Sequence, residues 1–204
     1  MSAEGPIDPA RTALMLVDLQ NDFVHTDGAY GRAGQTSDAI AALPGRLRPL
    51  AEALRARGGW VVSTHFTLVP GKDGVPFIAE HLGRLRPFLG AGDFTPGSWG
   101  HDLVDTLKPA DIGVEKVAYS AFYQSRLDFV LRRAGIETLI FSGIVTQGGV
   151  ASTLRDAHVR DFSTVLLSDG CASFHPDVHE TAIADMGALS HVMTCAKARA
   201  WIES

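Results

Sequence analysis

The feature that most constrains the fold is a series of short apolar runs separated by helical patterns. Runs of strand length occupy residues 12–18, 59–66, 112–118, 137–143 and 163–169, with a shorter one at 190–194. Several are continuously apolar, which is typical of strands covered on both faces. Strands that alternate with helices predict a parallel sheet joined by right-handed crossovers. We therefore predict an α/β fold, a single-domain three-layer α/β/α sandwich with a mainly parallel sheet of five or six strands.

The segments between these runs divide into helical patterns and one irregular stretch. The longest helical pattern covers residues 37–59, and we expect Pro44 and Pro49 to break or delay that helix. Residues 67–100 are rich in Gly and Pro and have no clear pattern. A loop of that length inside a compact domain is usually functional. We expect an active-site loop region there, within one domain spanning residues 1–204.

Composition limits the partners that the chain can have. The 204 residues are 46% hydrophobic and 20% charged, which is ordinary globular composition. A net charge of −5 without a Lys/Arg-rich stripe argues against nucleic acid as a partner. No apolar run is long enough to span a membrane, and the N-terminus lacks a secretory pattern, so we expect a cytoplasmic protein with no membrane partner. Cys171 and Cys195 have no metal-type spacing and indicate no disulfide framework.

Three polar residues lie at or near the ends of the first three apolar runs. Asp18 ends the first run, where partial desolvation would raise the pKa of its carboxyl group and suit it to proton transfer. Lys116 lies near the end of the third run and could pair with Asp18 or hold a substrate carboxylate. His65 ends the second. Each alone fits a structural role, but the carboxyl ends of parallel strands meet at one edge of a sheet, where ligands bind.

The segment "GIVTQGGVAST", residues 143–153, leads from an apolar run into a helical pattern. A turn of small residues between a strand and a helix is a place where enzymes bind anions or hold a nucleophile. Here the turn contains the pair Gly148 and Gly149 where a reactive side chain would be expected. We expect the backbone amides from Thr146 to Gly149 to bind a carboxylate or an oxyanion.

Four segments, "ALMLVDLQNDF", "VEKVAYSAFYQSRLDFVL", "SGIVTQGGVASTLRDA" and "LLSDGCASFHPDVHETAI", occur in this order along the chain. Together they resemble the isochorismatase-like hydrolase family, also called the cysteine hydrolases, from about residue 12 to about residue 196. The resemblance implies that Asp18 and Lys116 are catalytic. It also implies a non-proline cis peptide bond, placed here between Val145 and Thr146.

The sequence departs from the family pattern G-x-x-T-x-x-C-V-x-x-T at Gly149, which takes the position of the nucleophilic cysteine. Glycine closes the thioester route of the amidase members. The members that cleave a vinyl ether are similar in having a small residue there. The resemblance therefore implies hydrolysis of a small carboxylate-bearing molecule by Asp18-assisted water attack, without a covalent acyl-enzyme. Two alternatives stay open: an amidase-like C–N hydrolase that activates water directly, and a catalytically silent binding member of the family.

The resemblance also supplies expectations about ligands and assembly. We count Gly149 with the catalytic residues, and the substrate-binding candidates are Phe23, His65, Val145, Thr146 and Gly148. Arg84 and Arg86 are candidates for binding substrate acid groups by residue type only. Family members are usually oligomers, so we expect a homo-oligomer, a dimer or a tetramer.

No metal and no cofactor are expected. Nicotinamidase-like relatives bind a metal through an Asp and two His after the second strand. In this chain Asp73 and His81 are widely spaced within the segment that follows His65. The spacing therefore gives no support to a metal site.

Overall fold

Six parallel strands form the sheet of the computed structural model, which describes residues 7–204. The strands are β1 (Thr12–Val17), β2 (Trp60–Phe66), β3 (Ile112–Lys116), β4 (Thr138–Ile144), β5 (Ser163–Ala172) and β6 (His191–Met193). Their order is β3-β2-β1-β4-β5-β6, and every neighbouring pair is parallel. The predicted α/β architecture is confirmed, with six strands. Residues 1–6, at the start of the N-terminal stretch that lacks a secretory pattern, lie outside the described residues.

Helices cover both faces of the sheet. They are α1 (Asn21–Val24), α2 (Ala29–Arg32), α3 (Asp38–Ala56), α4 (Glu80–Leu85), α5 (Leu127–Arg133), α6 (Ala151–His158), α7 (Pro176–Met186) and α8 (Cys195–Glu203). Two 3₁₀ turns, Pro9–Arg11 and Asp105–Leu107, and a π-helical turn, Thr146–Val150, complete the regular structure. Helices α3 and α8 pack in the core on one face, and α5, α6 and α7 in the core on the other. None of the helices in residues 7–204 has the length and apolar character that crossing a lipid bilayer requires.

Helix α3 corrects the expectation that proline interrupts the 37–59 pattern. It runs unbroken from Asp38 to Ala56 with Pro44 and Pro49 inside it. Each internal proline costs about 3 kcal/mol of helix stability. The same helix buries one stripe of side chains, Ile40, Leu43, Leu47, Leu50 and Leu54, against the sheet. Burial of each contributes about 1.5–3 kcal/mol, so the packing of this stripe outweighs the two prolines.

The strands align their carboxyl ends at one edge of the sheet. Val17, at the end of β1, is in register with Thr64 of β2 and Gly143 of β4. Gly143 has a φ angle of 109°, and a Cβ added there would lie 2.1 Å from the carbonyl oxygen of Val17. Only glycine therefore permits this close approach of β4 to β1. The segments that follow β1 and β4 consequently begin side by side.

Candidate active site

Asp18 and Lys116 form a buried ion pair at the carboxyl edge of the sheet. Asp18 directly follows β1, and Lys116 is the last residue of β3. The Lys116 Nζ lies 2.6 Å from Asp18 Oδ2, and their side chains are only 3% and 6% exposed. Strand β2 lies between them, and its Thr64 hydroxyl donates to Asp18 Oδ1 at 2.8 Å. The Lys116 Nζ also donates to the carbonyl oxygen of Ala118 at 3.1 Å. Three adjacent strands therefore fix both charged groups.

The environment of Asp18 favours a carboxyl group that exchanges protons. Burial raises the pKa of Asp18 above its ordinary value of 3.8, and the charge of Lys116 and the hydrogen bonds from Lys116 and Thr64 oppose that rise. The backbone of Asp18 adopts a φ angle of 56°, in the left-handed region that non-glycine residues seldom occupy. Such strain persists where the surrounding structure imposes it, and it clusters at functional sites.

The turn after β4 places Gly149 beside the ion pair. A Cβ added at Gly149 would lie 3.2 Å from Asp18 Oδ2 and 3.1 Å from the carbonyl oxygen of Ile144. A non-proline cis peptide bond joins Ile144 to Val145, so the expected position at Val145–Thr146 is corrected by one bond. Strand β4 ends at Ile144, and Thr146 already belongs to the π-helical turn. The motif predicts a non-proline cis peptide bond at this turn correctly, but it places the bond one residue too far along the chain.

Thr146 and Gly148, both expected to bind substrate, make hydrogen bonds to neighbouring protein groups instead. Thr146 is fully buried, and its hydroxyl lies 2.8 Å from Nδ1 of His179. His179 Nε2 lies 3.1 Å from the carbonyl oxygen of Ser168, so Nε2 donates and Nδ1 accepts from Thr146. The Gly148 amide donates to the carbonyl oxygen of Val145 at 2.9 Å. The Thr146 hydroxyl and the Gly148 amide therefore hold the turn together and are not free for a ligand. Anion binding by the other backbone amides of the turn stays a prediction.

A cavity of about 590 Å³ opens above the ion pair. Three of its buried lining residues, Asp18, Lys116 and Gly149, define what we call the inner end. The expected substrate-binding residues Phe23 and Val145 also line the cavity. Aromatic and aliphatic side chains form most of the remaining wall: Tyr30, Phe66, Leu68, Val69, Phe77, Leu82, Leu85, Leu89, Val117, Tyr119, Ile144 and Phe174. The structure thus combines a buried charged pair at the inner end with a largely apolar wall, to which Arg86 adds a further charged group.

His65 is not among the residues that line this cavity. Its Nε2 lies 2.8 Å from the Ser63 hydroxyl, and its Nδ1 lies 2.9 Å from the carbonyl oxygen of His101. Side chains alternate across a strand, and in β2 it is Thr64 and Phe66 that face Asp18 and the cavity. His65 therefore points the other way, into a separate surface cleft, and we remove it from the proposed site.

Several residues that line the cavity were not predicted from the sequence, because they lie in loops and short helices. Tyr30, on α2, stacks on Phe174 with ring centroids 5.4 Å apart and an interplanar angle of 13°. The Tyr30 hydroxyl accepts a hydrogen bond from Arg86 Nε at 3.0 Å. Arg86 lines the cavity, whereas Arg84 is exposed and pairs with Glu80. These wall residues lie in segments without periodicity, so their aromatic character was the only signal available.

The residues present do not fit a metal ion of the nicotinamidase type. Both ring nitrogens of His65 are hydrogen-bonded, and Asp73 and His81 are exposed. Within residues 7–204, no group of three or more His, Cys, Asp and Glu side chains could hold a metal. We therefore derive no step through a metal.

Comparison with known proteins finds solved structures of the same architecture and a protein family that matches most of the chain. The family model described as the isochorismatase domain matches residues 12–197. The ureidoacrylate amidohydrolase RutB of Caulobacter vibrioides is 33% identical over 190 residues, which cover 87% of this chain and 84% of the relative. A cysteine hydrolase from Pseudomonas syringae superposes with a TM-score of 0.83 at 26% identity, over 98% of this chain and 96% of that one. An N-carbamoylsarcosine amidase from Thermoplasma acidophilum superposes with a TM-score of 0.69 at 25% identity, over 91% and 96%.

Proposed function

Because the chain belongs to the isochorismatase family of hydrolases, we propose that it hydrolyses a small carboxylate-bearing molecule without a covalent acyl-enzyme. Water attacks the substrate, and Asp18 transfers the proton that the reaction needs. The bond that this chemistry suits best is a vinyl ether. The residues that carry the proposal are Asp18, Lys116 and Gly149.

The observation that carries the proposal is the glycine at position 149. A side chain there would point at Asp18, since its Cβ would lie 3.2 Å from Oδ2, so this is where a nucleophile would be activated. Glycine supplies no atom that could attack. Thr67 lines the cavity, but its hydroxyl donates to the carbonyl oxygen of His65 and contacts His101 Nε2. Cys171 is buried outside the cavity, and burial raises the pKa of its thiol.

Asp18 has the properties of a general acid. Burial raises the pKa of its carboxyl group, so the group stays protonated to a higher pH than an ordinary aspartate does. A protonated Asp18 can donate to the terminal carbon of an enol ether and generate an oxocarbenium ion. Water adds to that ion, returns a proton to Asp18, and the resulting hemiketal collapses to a ketone and an alcohol. Lys116, 2.6 Å away, stabilises Asp18 when it is ionised.

Arg86 is the side chain best placed to bind the substrate's carboxylate. It lines the same cavity as Asp18, and Tyr30 orients its guanidinium group through Nε. Within residues 7–204, no carboxylate forms a salt bridge with Arg86. A guanidinium group presents a planar fork of donors that matches a carboxylate. The Arg86 Nη1 also donates to the carbonyl oxygen of Leu85 at 3.0 Å, and the remaining N–H groups of the guanidinium can pair with an incoming acid without breaking a salt bridge.

The second candidate is C–N hydrolysis by directly activated water. It is favoured by the names of the relatives, an ureidoacrylate amidohydrolase at 33% identity and an N-carbamoylsarcosine amidase of the same fold. In that reaction Asp18 acts as a base on water at the position that the missing side chain leaves open. A catalytically silent protein that only binds the acid is the third reading.

The pH profile separates these readings, because the two reactions need opposite forms of Asp18. A general acid works below the pKa of Asp18, so kcat for a vinyl ether such as isochorismate falls as pH rises through that value. A general base works above it, so kcat for ureido acids or small amides rises over the same range. Absence of turnover, together with ligand binding measured by thermal shift, would support the silent protein.

Covalent trapping tests the role of Gly149 directly. Acid-quenched turnover mixtures of the wild type are examined by intact-mass spectrometry, and we expect no adduct. The variant Gly149→Cys restores a thiol beside Asp18, and we expect it to react with iodoacetamide faster than Cys171 and Cys195, which are buried. An adduct on the wild-type chain during turnover would refute the absence of a covalent intermediate.

A further inference from the structure

We infer that the acid bound in this cavity carries a bulky apolar group, aromatic rather than ureido, and that Phe77 and Leu85 set how large that group can be. The inference rests on the proposed function, because it takes the substrate to bind beside Asp18. It narrows the substrate from any small acid to a monoanion with an apolar body.

The cavity wall is a preformed aromatic surface. Phe23 lies 4.8 Å from Tyr30 between ring centroids, and Tyr30 in turn stacks on Phe174. Behind them the fully buried ring of Phe94 lies 4.5 Å from Phe23 and 5.2 Å from Phe66. Because these rings pack against one another, they are held in place as the wall of the cavity. A ligand therefore meets carbon surfaces over most of its own area.

The polar groups of the cavity are few, and most have partners. Lys116 is paired with Asp18, and the Thr67 hydroxyl is hydrogen-bonded to His65 and contacts His101. His81 and Tyr119 also line the cavity, but both are exposed to solvent. Arg86 is a cation that lacks a salt bridge within residues 7–204, which matches one anionic group. The N–H and C=O groups of a ureido acid would lose water here and find few replacements, which weakens binding.

The size of the cavity points in the same direction. Its volume of about 590 Å³ lies within the range of pockets that bury most of a drug-sized ligand. A linear ureido acid of a few carbons would leave most of the aromatic wall without contact. An aromatic acid fills the space and removes more apolar surface from water, which is the larger source of affinity.

Phe77 and Leu85 are exposed although they line the cavity. Phe77 is 75% exposed and Leu85 is 60% exposed, and both belong to the segment that follows β2. Large apolar side chains held at the rim of an apolar cavity mark a surface that a ligand covers. Val75, on the same segment, is 58% exposed and does not line the cavity. It provides a matched control.

A binding series tests the inference without depending on catalysis. Isothermal titration calorimetry on the wild type compares acetate, hexanoate, phenylacetate, 2-naphthylacetate and 3-ureidopropionate. We expect Kd to fall about fourfold for each additional buried apolar area equal to that of one methylene group. On this basis 2-naphthylacetate should bind at least tenfold more tightly than 3-ureidopropionate. A Kd for 3-ureidopropionate equal to or lower than that of 2-naphthylacetate would overturn the inference.

Rim variants test the assignment of Phe77 and Leu85. Both side chains are exposed, so Phe77→Ala and Leu85→Ala should leave the fold intact. We expect each to weaken 2-naphthylacetate about fourfold or more and to leave acetate unchanged, whereas Val75→Ala changes neither. Unchanged binding of 2-naphthylacetate in both variants would reject the two residues as determinants of size.

The failure of this inference and the failure of the proposed function give different results. If apolar acids bind in the expected order but no vinyl ether, amide or ureido compound is hydrolysed, the proposed hydrolysis fails and the ligand class stands. If small ureido acids are hydrolysed efficiently while aromatic acids bind weakly, the ligand class fails and the hydrolase stands.

Discussion

The two ends of the cavity are built in different ways. At the inner end, Asp18 follows β1 and Lys116 is the last residue of β3, and both side chains are almost completely buried. At the mouth, Phe77 and Leu85 belong to the segment 67–89 and are mostly exposed. Strand ends hold charged groups at fixed distances, whereas a surface segment tolerates changes in length and composition. Under the two proposals above, the sheet therefore fixes the catalytic groups, and the residues that set ligand size lie on the loop.

The largest expected effect comes from removing the acid at the inner end. Asp18→Asn should lower kcat about 100- to 10,000-fold, because an amide cannot transfer the proton. Steady-state kinetics on any compound that the wild type hydrolyses provides the measurement. The control is Asp73→Asn, which changes an exposed carboxylate that belongs to the segment 67–89 and does not line the cavity, and it should leave kcat unaltered. Equal losses in the two variants would remove the distinction between the two ends.

Breaking the ion pair should appear in stability as well as in activity. Lys116→Met leaves Asp18 buried without its partner, and we expect a loss of about 3–5 kcal/mol in the free energy of unfolding at a pH where Asp18 is ionised. In the unfolded chain the carboxyl has its ordinary pKa of 3.8, and burial raises the pKa in the folded variant. The folded variant therefore binds the proton more tightly, and its stability declines as pH rises from 3.8 through the raised pKa.

Urea unfolding of Lys116→Met at acidic and neutral pH measures this decline. The double variant Asp18→Asn/Lys116→Met removes both charges and should recover much of the lost stability. No difference between the two pH values in the single variant would contradict the account of the pair.

Replacing Arg86 should have an intermediate effect. Arg86→Met should raise KM for a carboxylate substrate about 10- to 100-fold with a small change in kcat, because a charge-assisted contact contributes about 1.5–3 kcal/mol. Arg84→Met removes a nearby cation that is exposed, pairs with Glu80 and does not line the cavity. Its KM should match the wild type. A similar rise in both would indicate long-range attraction instead of a direct contact.

The smallest effect sharpens the description of the inner end. Thr64 donates to Asp18 and so lowers the pKa of Asp18. In Thr64→Val that stabilisation of the ionised form is lost, the pKa rises, and the midpoint of the pH–kcat profile moves upward by about 0.5–1 in pH. Thr64→Ser retains a hydroxyl and should keep the wild-type midpoint. A downward shift in the valine variant would show that another group controls the profile.

Sequence reasoning predicted the sheet and the meeting of its strand ends because both follow from repeated patterns. Continuous apolar runs indicated parallel strands, and parallel strands bring residues that follow them to one edge. The structure accordingly brings together Asp18, Lys116 and Gly149, which are far apart along the chain. That convergence needed no knowledge of individual side-chain contacts.

The errors arose where one residue or one loop decides the outcome. The sequence indicates His65 as a substrate-binding residue, but side chains alternate along a strand, and the neighbouring Phe66 faces the cavity instead. Helix propensity alone predicts that Pro44 and Pro49 interrupt α3, because propensity does not include the burial of the helix against the sheet. The aromatic wall from Tyr30 and Phe174 joins segments without periodicity, so only the folded chain could reveal it.

The position of β3 has a consequence for how the protein would lose its function. Lys116 is held by the edge strand of the sheet, whereas Asp18 follows a central one. An edge strand has a neighbour on one side only and opens more readily than the centre. Detachment of β3 alone would carry the amine away while the other five strands stayed paired. During gentle heating, turnover should therefore be lost at a lower temperature than that at which the domain unfolds.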